Sequence, residues 1–125
     1  MIVLDASVLI AHLDPRDALH DAADEQLLDA ADQPFGVSTI TLAEALVAPL
    51  RTGTLRTTYA ALKALEVEEL PLPGGAAEQL AAMRAETGLK LPGCCVLLAA
   101  ETARGGILTF DERLARAAAE RGLAA

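Results

Sequence analysis

Short apolar runs alternate along the chain with longer stretches in which apolar residues recur at helical spacing. Ile2 to Leu4 is such a run, and Asp5-Ala6-Ser7 leads from it into Val8-Leu9-Ile10-Ala11, so a strand passes quickly into a helix that Pro15 ends. From Asp17 to about Asp32, apolar residues at 19, 23, 27, 30 and 31 hold one helical face and acids take the other. Gly36-Val37-Ser38 predicts a second strand, Ile40 to Leu50 a helix closed by Pro49, Leu55 to Leu65 another helix, and Val67 to Leu72 a third strand. Ala76 to Thr87 carries apolar groups at 76, 80 and 83, whereas Gly93 to Ala103 is apolar nearly all round and is predicted to be buried. Ile107 to Thr109 predicts a fourth strand, Asp111 to Arg121 the last helix, and Leu123 to Ala125 a short final strand.

Strands separated by single helices or helix pairs pair in parallel through right-handed crossovers. The fold class that follows is α/β: a three-layer sandwich with a central parallel sheet of four or five strands flanked by helices, formed by residues 1–125 as a single domain.

Composition narrows the function classes. The chain is 53% hydrophobic but only 2% aromatic, without tryptophan, so it offers no stacking platform of the kind that single-strand binders use. A net charge of −8 repels a polyanion on average, and a nucleic-acid partner must be met by local Arg and Lys groups or through bound cations. Met1 leads directly into Ile2-Val3-Leu4-Asp5 with no basic region or long apolar segment, which predicts a cytoplasmic protein without a membrane span. Cys94 and Cys95 are adjacent and read as free buried thiols, and no spacing suits zinc.

In an open parallel sheet a site forms beyond the carboxyl ends of the strands. Three acids fall there: Asp5 after the first strand, Glu44 in the first turn of the helix after the second, and Asp111 after the fourth. Each also has a plain structural reading. Thr41 to Glu44 and Thr109 to Glu112 match the capping box, and Asp5 suits the cap of its own helix. Their joint placement weighs against caps alone, because carboxylates gathered on one rim repel one another unless a cation such as Mg²⁺ or Mn²⁺ lies between them. Ser7 is placed to orient Asp5 or a water, and Thr109 is a second candidate for an assisting role.

The start Ile2-Val3-Leu4-Asp5-Ala6-Ser7-Val8-Leu9-Ile10-Ala11, the block Val37 to Glu44, and Leu108-Thr109-Phe110-Asp111-Glu112-Arg113-Leu114-Ala115 together resemble a PIN domain, most similarly the VapC toxins of bacterial toxin–antitoxin pairs. The resemblance covers essentially the whole chain. It implies a Mg²⁺- or Mn²⁺-dependent endoribonuclease, a homodimer, an RNA substrate, and neutralisation by a cognate VapB-type antitoxin. It maps the metal-site acids onto Asp5, Glu44 and Asp111.

One position departs from that pattern. In the family the Leu-Pro that opens the buried helix is typically followed by aspartate, and this chain has Leu91-Pro92-Gly93. The expected consequence is weak or absent activity, since three acids and water can hold one hard cation but a two-metal clamp is harder to assemble. A naturally weakened member and a chain silenced by substitution would both read this way, and retention of the other three acids favours the second. The competing class is a catalytically inactive PIN-like binding module that acts through its antitoxin complex, with the acids serving only as caps.

Arg51, Arg56, Lys90, Arg113 and Arg116 are candidates for phosphate contact, Arg51 and Arg113 foremost; the ordinary reading of such residues is solvation or pairing with nearby glutamates. His12 and His20 flank Pro15 with no paired ligand and read as surface histidines. Leu46 to Leu65, interrupted by Pro49 and Gly53, predicts a two-helix clip on which an antitoxin helix could dock, or else ordinary core packing.

Overall fold

Strand β1, Ile2–Leu4, is the centre around which the rest is arranged, and the computed structural model describes all of residues 1–125. All three of its residues are buried because a strand alternates its side chains across two covered faces. Val3 points into a core built with Val96, Leu97, Ala100, Ile107 and Leu114, while Ile2 and Leu4 point into a second core with Val8, Leu9, Leu27 and Val37. One period-two strand thereby stitches two hydrophobic layers, each buried Val, Leu or Ile contributing about 1.5–3 kcal/mol relative to exposure.

The sheet is fully parallel in the order β3-β2-β1-β4, with β2 at Phe35–Ser38, β3 at Glu68–Leu70 and β4 at Gly106–Leu108. The predicted final strand is reduced to a single parallel bridge between Ala124 and Ile107. From β1 the chain passes through α1 (Ala6–Leu13) and α2 (His20–Asp29) to β2, then through α3 (Thr39–Thr52) and α4 (Leu55–Ala64) to β3, moving outward in one direction. It then returns past β1 to the other edge through α5 (Ala76–Thr87) and α6 (Leu91–Ala103), reaching β4 and the closing helix α7 (Glu112–Glu120). Because the direction of travel reverses, α5 and α6 fall on the opposite face from α1 to α4, and β1 and β4 flank the switch point.

Helix α6 is the second element of the core. Cys94 through Ala100 are buried without interruption, as a sequence apolar all round predicts, and both cysteines are free. Lys90 is its N-cap, so Pro92 and Gly93 occupy the first turn, where proline's missing N–H leaves no bond unmade.

Several predicted boundaries are corrected. The helix expected over 17–32 is His20–Asp29, since Asp14 and Asp17 take up the preceding chain in local turns through their carboxylates. The third strand, expected over 67–72, is Glu68–Leu70, since Pro71 has no N–H to continue the ladder. Pro49 does not close α3; the helix runs on to Thr52 and ends at Gly53, whose left-handed φ of 73° supplies the cap. No helix of the chain is long and apolar enough to cross a membrane.

Candidate active site at the switch point

Asp5 leaves β1 into the first turn of α1, and its carboxylate does not cap that helix. Its Oδ2 instead accepts two hydroxyl hydrogen bonds, from Ser7 Oγ at 2.9 Å and from Thr109 Oγ1 at 2.7 Å. Ser7 Oγ also accepts the Phe110 N–H at 3.0 Å, and Thr109 Oγ1 accepts the Asp111 N–H at 2.9 Å. These bonds join the carboxyl ends of β1 and β4 into one hydroxyl-buttressed seam and hold the Asp5 side chain in one orientation.

Asp111, rather than Thr109, is the N-cap of α7. Its Oδ1 accepts the N–H groups of Arg113 at 2.9 Å and Leu114 at 3.1 Å, so the capping-box register expected from Thr109 and Glu112 is displaced by two residues. The Thr41–Glu44 box is corrected as well. Strand β2 runs straight into α3 with Ser38 as the N-cap, which puts Thr41 inside the helix and Glu44 in its second turn rather than its first. The hydroxyls of Ser38 and Thr41 are buried without a hydrogen-bond partner, a feature for which the packing gives no reason.

Asp5, Ser7, Glu44, Gly93 and Asp111 all line one open cleft of about 440 Å³, together with Lys90 and Arg113. Burial raises the Glu44 carboxyl above its ordinary pKa, and the negative charge of Asp5 pushes the same way. The cleft therefore gathers like charge that a cation would relieve. Neither close approach nor backbone strain requires glycine at 93: a Cβ there would meet only Leu89, at ordinary contact distances of 3.7 and 3.8 Å. Gly105 is the contrast, since its Cβ would lie 2.4 Å from the Met1 carbonyl oxygen.

The donors facing the cleft are carboxylates and hydroxyls, a hard set suited to Mg²⁺ or Mn²⁺ rather than to softer metals. They do not form a closed cage. No three His, Cys, Asp or Glu side chains stand close enough together to hold an ion between them, and one oxygen of Asp111 already serves the helix cap. The set fits a cation that keeps much of its own water.

The other candidates lie elsewhere. Arg51 is in the last turn of α3, about 10 Å along the axis from Glu44, and is not part of the cleft wall. His12 and His20 are not solitary surface groups: His12 Nδ1 lies 2.6 Å from Asp24 Oδ1 and His20 Nε2 lies 3.3 Å from Asp24 Oδ2. The two rings stack with centroids 6.4 Å apart, and His20 Nδ1 donates to the Ala11 carbonyl at 2.7 Å. That bond, followed by the charges of Asp24, Asp21 and Asp14, raises the His20 pKa. Burial pushes both thiols upward, so neither Cys94 nor Cys95 is set up as a nucleophile.

The molecule is thus a parallel α/β domain with an acidic cleft at the switch point of its sheet. Residues 2–120 match the PIN domain family, and the chain belongs to it. Among solved structures it is similar to a toxin–antitoxin complex from Klebsiella pneumoniae, at 26% identity over 89% of this chain and 87% of that one, with a TM-score of 0.75. It also shares its fold with Mycobacterium tuberculosis VapC20, a sarcin–ricin-loop-cleaving toxin, at 19% identity, coverage of 94% and 95%, and a TM-score of 0.74. VapBC2 from Rickettsia felis, bound to a DNA fragment from its promoter, follows at 14% identity, coverage of 93% and 92%, and a TM-score of 0.71. No curated protein matches the chain.

Proposed function

We propose that this chain is the toxin half of a toxin–antitoxin pair and that its cleft is the site of a divalent-cation-dependent endoribonuclease weakened by glycine at 93. The observation that carries the proposal is the meeting of Asp5, Glu44 and Asp111 in one cleft whose remaining wall, at Gly93, has room for a further carboxylate. The toxin–antitoxin similarity supports a VapB-type antitoxin as partner and RNA as substrate. A homodimer and a cytoplasmic setting complete the proposal.

In this reading Asp5, Asp111 through its second oxygen, and Glu44 would hold Mg²⁺ or Mn²⁺ in part through the cation's own waters, since the three do not close a cage around it; when bound it supplies positive charge to the reacting phosphate and lowers the pKa of water. Ser7 and Thr109 fix the Asp5 carboxylate through the two bonds described to one oxygen, which leaves its other oxygen free to serve as a ligand. Burial and the charge of Asp5 raise the Glu44 carboxyl above its ordinary pKa, which suits it to take a proton from attacking water.

The second reading, an inactive binding module acting through its antitoxin complex, is favoured by the open ligand set and by the capping role of Asp111. Cleavage of a mixed RNA pool in Mg²⁺ or Mn²⁺, with EDTA as control, separates the two when this chain is compared with Gly93→Asp. The nuclease reading expects cleavage by the aspartate form and little by this chain. No cleavage by either, with no stabilisation of either by the cations, leaves the binding module.

A further inference from the structure

Two of the cleft's walls carry positive charge that no carboxylate neutralises. Lys90, at the N-cap of α6, and Arg113, in the first turn of α7, both face the acidic cleft and make no ion pair or side-chain hydrogen bond. Arg113 reaches over the α5–α6 turn: its Nη2 would lie 3.8 Å from a Cβ on Gly88.

Beyond Arg113 the surface dips again. A second groove, of about 230 Å³, runs between the end of α5 and the exposed side of α7, and it shares Leu89 and Arg113 with the acidic cleft. Arg116 lines it one turn further along α7, likewise unpaired. Residues three apart on a helix lie about 5–6 Å apart at Cβ, so Arg113 and Arg116 present two guanidinium groups in line.

The acids of this groove are arranged to leave those guanidinium groups free. Glu86 is held by Arg121, whose Nη2 donates to Glu86 Oε2 at 2.7 Å while its Nη1 donates to Glu101 Oε1 at the same distance. Glu120 remains as the single unpaired acid, at the far end. In a chain of net charge −8, a connected cationic track that begins at the acidic cleft is a local reversal of the overall field.

We propose that Lys90, Arg113 and Arg116 form the path of the RNA backbone on one side of the cleft, so that a bound strand runs along α7 and not along α3 toward Arg51. The inference rests on the nuclease reading and adds the direction of the strand and three positioning residues, which act through phosphates flanking the one in the cleft.

The test is binding of a short fluorescent single-stranded RNA by the full chain in EDTA, followed by anisotropy over a range of salt, with Arg113→Ala/Arg116→Ala set against the charge-matched Arg51→Ala/Arg56→Ala. Melting curves establish that both variants are folded. The track predicts about tenfold weaker binding for the first pair, with the salt slope flattened by about 0.7–1 per charge removed, and little change for the second. Lys90→Ala shifts affinity in the same direction. In the Gly93→Asp background, the first pair also raises KM with little change in kcat.

Equal losses from the two pairs overturn the track while leaving the nuclease reading intact, because attraction is then merely diffuse. An unchanged affinity and KM in Arg113→Ala/Arg116→Ala also overturns it, as would be seen if these arginines served an acidic protein segment instead. If this chain binds no RNA and Gly93→Asp neither binds nor cuts any, the track falls together with the reading on which it stands.

Discussion

Thr109 Oγ1 donates to Asp5 Oδ2 at 2.7 Å, a bond between residues 104 positions apart that closes the seam between β1 and β4. The same oxygen accepts the Asp111 N–H, so one hydroxyl orients one cleft acid and anchors the backbone of another. Thr109→Val keeps the shape, removes both bonds, and leaves a carboxylate one donor short. The expected loss is about 1.5–3 kcal/mol, the range for a hydrogen bond to a charged group. Chemical denaturation measures it, and Ser7→Ala, which also frees the Phe110 N–H, is expected to fall in the same range. A loss well under these values for both variants would mean that the seam does not hold Asp5.

Gly93 offers a separation of backbone from chemistry. Its Cβ space is open and it lies in the first turn of a helix, so Gly93→Ala is expected to stabilise the chain by about 0.5–1 kcal/mol through reduced backbone freedom alone. Gly93→Asp adds a favourable interaction with the helix N-terminus of about 0.3–1 kcal/mol and an unfavourable one with Asp5 and Glu44. The aspartate form should then respond to a given concentration of Mn²⁺ or Mg²⁺ more strongly than the parent or the alanine form, gaining about 2.7 kcal/mol at a hundred times its Kd. Thermal melts of the three proteins with and without cation read both effects. An alanine variant that responds as the aspartate one does would remove the carboxylate from the account.

Much of this arrangement was readable in the chain. Apolar period identified the central strand and the buried helix, and the rule that sites form beyond strand ends brought Asp5, Glu44 and Asp111 to one place from three distant segments. What local pattern missed were features of register and tertiary contact. Thr41 and Glu44 match a capping box, yet β2 enters α3 with no intervening loop, and the cap falls to Ser38. Asp111 rather than Thr109 is the cap because the helix begins at Glu112, and the hydroxyl of Thr109 reaches instead to Asp5, a bond that no local window contains. His12 looked solitary because its partner, Asp24, sits on the next helix, where no spacing rule links the two, whereas the His20–Asp24 pair is four residues apart on α2 and was open to a reading by helical spacing.

That histidine cluster makes the packing of α1 on α2 sensitive to pH. His20 gives one ring N–H to the Ala11 carbonyl, and only the imidazolium can also donate from Nε2 to Asp24. Its folded pKa is raised above 6.5, so its contribution to stability is fully present below that value and is lost as pH rises through the folded pKa. Asp24→Asn removes the main partner charge and is expected to flatten this component. The measurement is the difference in melting temperature between parent and variant across neutral pH, or the titration of the His20 ring proton by NMR. A difference that does not shrink as the solution turns alkaline would rule out the linkage.

Glu44 has the same sign of shift with the opposite charge. Its folded pKa lies above 4.5, so the protonated form favours folding, and that advantage is lost as pH rises from 4.5 through the folded value. At neutral pH without divalent cations the ionised carboxylate faces Asp5 and works against the fold. Glu44→Gln is therefore expected to raise metal-free stability by about 0.5 kcal/mol, the small scale of a partly solvated charge pair, and the gain should vanish in acid. With Mn²⁺ present the order reverses if Glu44 is a ligand, because the parent gains binding free energy that the glutamine form lacks. Melting curves at neutral pH with EDTA and with Mn²⁺ show whether the two lines cross. If glutamine stabilises the chain equally in both solutions, Glu44 is not a ligand in this chain, and the cation must be held by Asp5 and Asp111 alone or not at all.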